Sequence, residues 1–116
     1  MMEAIVEMEE EKKGDILILR VGGRLDAVSS PQLEKKVMAS IDAGDNSQVL
    51  MNFEKVEYLS SAGMRLLLST TKKMKSKNGK FVLSNIADGV MEVIKMAGFD
   101  HILNIRASEE EALKEF

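Results

Sequence analysis

A mixed α/β domain with a partly parallel sheet is the fold class that this 116-residue sequence predicts. Three features carry the prediction. Apolar blocks of strand length recur along the chain. The blocks between them repeat apolar residues at helical spacing. Glycine, proline and asparagine punctuate the joins. After an opening pair of strands the order is strand, helix, strand, helix, strand, helix, which calls for crossover connections. The expected architecture is about five strands, starting with a hairpin, packed with about four helices in the order ββαβαβα(β)α. The length points to a single domain over 1–116.

Each element has its own signal. Ala4, Val6 and Met8 alternate with Ile5, Glu7 and Glu9, as in a half-buried strand. "EKKGD" supplies a turn. "ILILRV", Ile16 to Val21, is nearly continuous in apolar content and suits a strand buried on both faces. "GGRLDAVSSP" reads as a loop, with Gly22 and Gly23 letting the chain leave the strand. Ser30 reads as a helix N-cap and Pro31 as the first helical residue. Leu33, Val37 and Ile41 then recur at helical spacing to about Ala43, and Gly44 fits the stop.

"QVLMNF", Gln48 to Phe53, is the third strand. Met64, Leu67, Leu68, Thr71 and Met74 mark a second helix, and Asn78-Gly79 suits a left-handed turn at its end. "KFVLSN", Lys80 to Asn85, is the fourth strand. Val90, Val93, Ile94 and Ala97 mark a third helix stopped by Gly98, and "HILNI" reads as a short fifth strand. "SEEEALKEF" opens with a capping box, Ser108 as N-cap and Glu111 three residues later.

Composition excludes several function classes. Hydrophobic residues make up 45% and charged residues 30%, a globular profile. A net charge of −3 lacks the basic excess of a general nucleic-acid binder. No apolar run approaches the ~20 residues that span a bilayer. "MMEAIVEMEEEKKGD" lacks the basic-then-apolar order of a signal peptide. The expected address is cytoplasmic, with no membrane and no direct nucleic-acid partner. Without cysteine there is no thiol chemistry, and with one histidine a transition-metal site is not expected.

Enzyme signatures are missing too. No glycine-rich loop ends in Gly-Lys-Ser or Gly-Lys-Thr, and "VGGRLD" lacks the three-glycine spacing of a dinucleotide fingerprint. His101 sits between Asp100 and an apolar run with no orienting partner in view, so it reads as a surface or partly buried histidine. The carboxylates of "EMEEE" read as a solvated strand end, and those of "SEEEA" as charge favoured by a helix dipole. The nine methionines fall mostly at periodic apolar positions, as core filling. The chain is expected to have no catalytic residue, cofactor or metal, and not to be an enzyme.

The junction "YLSSAGMRLLL", Tyr58 to Leu68, is the remaining candidate. On a wheel of about 100° per residue, Leu67, Thr71, Met74, Met64 and Leu68 share one arc. Arg65, Ser69, Lys72 and Ser76 share the opposite one. Extended backwards, Ser61 falls on the polar arc and Ser60 on the apolar side. A serine at a helix start is ordinarily a cap. The same place also favours an added phosphate, through free N–H groups and the helix dipole. A serine alone does not choose between the two.

"GRLDAVSSPQLEKKV", then "VLMNFEKVEYLSSAGMRLLLSTTKKMK", then "GKFVLSNIADGVMEVIKMAGFDHIL" together resemble the STAS domain in its bacterial anti-sigma factor antagonist form. The order and spacing of these pieces carry the resemblance, from the hairpin to the last helix. Members of this kind usually read Asp-Ser-Ser-Gly or Asp-Ser-Thr-Gly at the junction, where this chain has Ser60-Ser61-Ala62-Gly63. Aligned on the glycine, Ser61 takes the phosphoacceptor position, with Ser60 as fallback. Ser60 replaces the aspartate and Ala62 the second hydroxyl residue. Asp26 matches the loop aspartate that helps engage the kinase.

The resemblance implies a partner-binding surface of Asp26, Ser60, Ser61, Ala62, Gly63, Arg65, Ser69 and Lys72. It implies that the unphosphorylated protein binds an anti-sigma factor that is also a serine kinase, and so frees the sigma factor. Phosphorylation on Ser61 ends that binding, and a PPM-type serine phosphatase resets it. ATP and magnesium belong to the kinase. The alternative is a STAS scaffold or ligand-sensing module that is never phosphorylated.

Overall fold

The computed structural model describes residues 6–116. Ala4 and Ile5, with which the sequence opens its first strand, lie outside the described residues. Strand β1 (Val6–Lys13) pairs antiparallel with β2 (Ile16–Leu25). The tight turn between them is made by Gly14, at φ 59°, and Asp15. Helix α1 (Ser29–Ala43) leads to β3 (Gln48–Leu59), and α2 (Ser61–Ser76) leads to β4 (Lys80–Ser84). Helix α3 (Asp88–Met96), a 3-10 turn at Phe99–His101, β5 (Ile105–Arg106) and α4 (Glu109–Leu113) complete the chain. The expected mixed sheet of five strands with four helices is found.

The strands lie in the order β1-β2-β3-β4-β5, and every pair after the hairpin is parallel. Strand order follows chain order, so successive crossovers all step the same way across the sheet. With right-handed crossovers the connecting helices must then share one face. Leu33, Val37 and Ile41 of α1, Leu66, Leu67 and Met74 of α2, and Val90 and Ile94 of α3 do pack into one core. The sheet contributes Leu17, Leu19, Val49, Met51 and Phe53 to it. Helix α4 follows the last strand, is no crossover, and takes the other face. There Ala112 is buried with Ile18, Leu50 and Val82, and Leu113 and Phe116 pack against them. Strand β2 is therefore buried on both faces over Leu17 to Leu19, as its sequence suggests.

Charged groups fasten α4. Arg20 donates to both carboxylate oxygens of Glu109, at 2.9 and 2.8 Å, and pairs with Glu11 at 2.8 Å. Asn52 donates to Glu109 at 2.7 Å. Ser108 caps the helix by accepting from the N–H of Glu111 at 3.1 Å.

Five boundaries differ from the sequence reading, the first at β1, which runs on through Glu11, Lys12 and Lys13 and leaves only Gly14 and Asp15 to the turn. Strand β2 runs on through Gly22 and Gly23 to Leu25, because β1 and β3 supply ladder partners on both sides. Strand β3 extends six residues past Phe53. Its core positions are Val49, Met51, Phe53, Val56 and Leu59, a spacing of two, two, three, three. Two extra residues cause this, one at each register shift against β2, as in β-bulges.

Ser30 is not the cap of α1. Val28 already has helical dihedrals, at φ −89° and ψ −48°, and the Asp26 carboxylate accepts from the N–H of Val28 at 3.0 Å and of Ser29 at 2.9 Å. Regular helix bonding starts only at Ser29 because Pro31 has no N–H to reach back to Ala27. Finally, His101 and Ile102 belong to the 3-10 turn and its end, which leaves a two-residue β5. Among the described residues, no helix is long and apolar enough to cross a membrane.

Candidate functional site

Parallel strands place their following loops at one edge, so the β2–α1 and β3–α2 connections meet there. Their meeting point is the Leu25 carbonyl. It accepts from the Ser60 N–H at 2.9 Å and from the Ser60 hydroxyl at 2.7 Å. Ser60 is extended, at φ −92° and ψ 178°, and its Oγ accepts from the Gly63 N–H at 3.3 Å, the N-cap arrangement. Gly63 makes the close approach possible. A Cβ there would lie 2.5 Å from Leu59 Cδ1, 2.9 Å from Leu25 Cβ and 3.0 Å from the Leu25 carbonyl oxygen.

Ser60 is thus half-buried and its hydroxyl proton is committed. Ser61, the first residue of α2, is exposed. Arg65 and Lys72 are exposed, and Ser69 is half-buried. The buried arc of α2 is rotated from the simple wheel. Leu66 and Thr70 are fully buried, while Leu68 and Thr71 are only half-buried. That rotation leaves Leu68 to line a groove between α2 and α3. The groove has a volume of about 380 Å³, with walls that include Met64, Leu68, Val93, Ala97 and Phe99, and Ser60, Ser61 and Arg65 at it as well. Ala62 and Arg65 also line an open depression against Pro31 and Met38 of α1.

Asp26 stands on the neighbouring loop. Beyond its two cap bonds, its N–H donates to Ser29 Oγ at 3.0 Å, and its carbonyl accepts from the Ser30 N–H at 3.0 Å. Hydrogen bonds from Ser29 and then Val28 hold the Asp26 carboxyl below the usual carboxylate range, with a smaller contribution from the Arg24 charge. The carboxylate is therefore ionised and fixed in direction. Asp26, Ser60, Ser61, Ala62, Gly63 and Arg65 gather at this edge, whereas Ser69 and Lys72 run along α2 away from it.

Sequence reasoning passed over two features. One is Ser29, whose hydroxyl donates to the Arg24 carbonyl and locks the β2–α1 loop. The Asp-x-x-Ser spacing of Asp26 and Ser29 is the signal that could have found it. The other is Arg24, whose guanidinium lies 4.3 Å from the centre of the Tyr58 ring. His101 is exposed, with its Nε2 3.9 Å from an Asp100 carboxylate oxygen.

The sequence profile of the STAS domain matches residues 7–112. The provisionally named anti-sigma factor antagonist BtrV of Bordetella bronchiseptica is 29% identical over 111 residues, covering 96% of this chain and 95% of that protein. A provisionally described anti-sigma factor antagonist from Thermotoga maritima superposes with a TM-score of 0.87 at 20% identity, over 93% of this chain and 92% of that one. The Bacillus anti-sigma factor antagonist SpoIIAA in its unphosphorylated form superposes with a TM-score of 0.78 at 24% identity, over 94% and 95% of the two chains. Its phosphorylated form superposes at 0.70. At these identities the three solved structures speak to the fold.

Proposed function

We propose, for a chain that belongs to the STAS domain family, the role of an anti-sigma factor antagonist switched by phosphorylation of Ser61. One observation carries the reading. Of the two serines at the α2 start, both of which border the apolar groove, Ser61 is exposed and Ser60 is half-buried with its hydroxyl bonded to Leu25. The fallback acceptor would have to give up its hydroxyl bond to the Leu25 carbonyl, one of the two bonds by which Ser60 ties α2 to β2. Ser61 gives up nothing.

The unphosphorylated chain binds its anti-sigma factor, which is also a serine kinase, and the sigma factor leaves. Within that complex Ser61 Oγ attacks the γ-phosphorus of ATP. A new O–P bond forms, the bond to the β-phosphate oxygen breaks, and ADP departs. The kinase takes the hydroxyl proton and holds the nucleotide and magnesium. A PPM-type phosphatase later hydrolyses the phosphoserine. The chain is a cytoplasmic substrate and switch, not a catalyst.

Magnitudes favour a switch without refolding. A hundredfold loss of affinity needs ~2.8 kcal/mol. A phosphoserine carries about −1.5 to −2 charges at neutral pH, and a like-charge or desolvation penalty at an interface is of order several kcal/mol. At the start of α2 the same charge is favoured by roughly 0.3–1 kcal/mol. The partner bears the cost and the fold does not. The departure at Ser60 also has a physical account. Serine is as good an N-cap as aspartate, so the helix start keeps its cap and loses only a charge beside Ser61.

The test is calorimetric titration of the unmodified and the phosphorylated chain into the anti-sigma factor kinase of the source organism. Tight binding of the first and at least hundredfold weaker binding of the second is the expected result. Equal affinities would contradict the switch.

A further inference from the structure

Strand β2 changes character at its last residues. The register against β3 steps from Gly23↔Val56 to Arg24↔Tyr58, with one residue of β3 left over, and Gly23 sits at φ 97°. A bulge of this kind re-aims the side chains beside it. Here it sets Arg24 and Tyr58 directly opposite each other. The guanidinium lies over the ring at 4.3 Å. Both side chains are exposed, Tyr58 by 40%.

The backbone under Arg24 is fastened from two sides. Its own carbonyl accepts the Ser29 hydroxyl, and the next carbonyl, that of Leu25, takes both donors of Ser60. The backbone that carries Arg24 is therefore fixed relative to Ser60, Ser61 and Asp26. Among the described residues Arg20 and Arg106 are ion-paired, whereas Arg24 and Arg65 have no ion pair, and of these two only Arg24 lies over an aromatic ring. A guanidinium stacked by its face keeps its edge of N–H donors free. That edge matches a carboxylate in the plane.

We infer that Arg24, held over the Tyr58 ring, is a preorganised anchor for a carboxylate side chain of the protein that docks over Ser61. The anchor rests on the partner-binding reading of this edge and specifies what the partner must present there. Holding one rotamer-rich arginine in place beforehand lowers the ordering cost of binding. Arginine and tyrosine are also the residue types that most often dominate an interface. A single acidic side chain fits better than a polyanion, because the chain is net negative and Asp26 lies close enough to feel the Arg24 charge.

Two measurements test the anchor and the reading beneath it separately. In the first, a short capped peptide carrying a single glutamate among uncharged residues is titrated at low salt into the isotope-labelled chain, and the arginine side-chain N–H resonances are followed. The Arg24 resonance should move more than that of Arg65. The effect should vanish in Tyr58→Leu and survive in Tyr58→Phe. An unmoved Arg24, or one indifferent to Tyr58→Leu, overturns the anchor, as does a larger response to an oligonucleotide than to the peptide.

In the second, the anti-sigma factor kinase is titrated with wild type, Arg24→Lys and Arg24→Glu. Arg24→Glu should weaken binding at least about tenfold. Arg24→Lys should recover only part of it, with KM for phosphorylation raised and kcat unchanged. Equal binding of all three overturns the anchor. A kinase that ignores wild type removes the Ser61 reading instead, and the peptide titration still decides the anchor.

Discussion

The Ser60 hydroxyl donates to the Leu25 carbonyl at 2.7 Å, and this bond joins the start of α2 to the end of β2. Two loops that are separate in sequence become one rigid edge, and Ser61 is the exposed serine on it.

Removing the tie should cost stability, and removing its neighbour should not. Ser60→Ala deletes an N-cap, a loss of about 1 kcal/mol. Ser61→Ala touches an exposed hydroxyl and should stay within about 0.5 kcal/mol of wild type. Urea unfolding of both variants measures the difference. Equal midpoints would mean that Ser60 does not cap.

Gly63→Ala sets two effects against each other. Alanine is the better helix former by about 1 kcal/mol. The new methyl would lie 2.9 Å from Leu25 Cβ and 3.0 Å from the Leu25 carbonyl oxygen. Neither is the end of a flexible side chain, so α2 must shift, at about 1–3 kcal/mol. A net loss is expected, seen as a lower thermal midpoint and altered amide shifts at Leu25.

Ser61→Asp places a negative charge at the α2 N-terminus, where it is favoured by roughly 0.3–1 kcal/mol. The variant should melt at or slightly above the wild-type temperature while binding the kinase more weakly. Weaker binding with a lower melting point would point to damage rather than to a switch.

The attachment of α4 should depend on pH. The hydrogen bond from Arg20, then that from Asn52, holds the Glu109 carboxyl below its ordinary range. A depressed carboxylate pKa stabilises the fold above the unfolded value, and the gain is lost as pH falls through the folded value. The partly exposed pair is worth about 1 kcal/mol after screening. Wild type should therefore exceed Glu109→Gln in stability at neutral pH, and the gap should close as the pH falls through and below the usual carboxylate range. A gap independent of pH would contradict the assignment.

The order of elements was legible because each apolar block kept one period. Val37 and Ile41 repeat at helical spacing, and Ile16 to Val21 are apolar but for Arg20. The extension of β3 was not legible, since two bulges shift its core positions from Phe53 to Val56 and Leu59. Gly22 and Gly23 read as punctuation, yet strands on both sides hold them in the sheet. The proline rule pointed to Ser30, while Asp26 begins the helical turn three residues before Ser29. The outward direction of Ser61 was readable because α2 is regular from its first residue. The Arg24–Tyr58 stack joins residues 34 positions apart and leaves no local pattern.

The central claim concerns one hydroxyl. The chain, Ser60→Ala and Ser61→Ala should each be incubated with ATP and the anti-sigma factor kinase of the source organism, then digested and weighed by mass spectrometry. The account predicts one added phosphate on Ser61 in wild type and in Ser60→Ala, and none in Ser61→Ala. Phosphate on Ser60, or on Ser61→Ala at the wild-type rate, would contradict it.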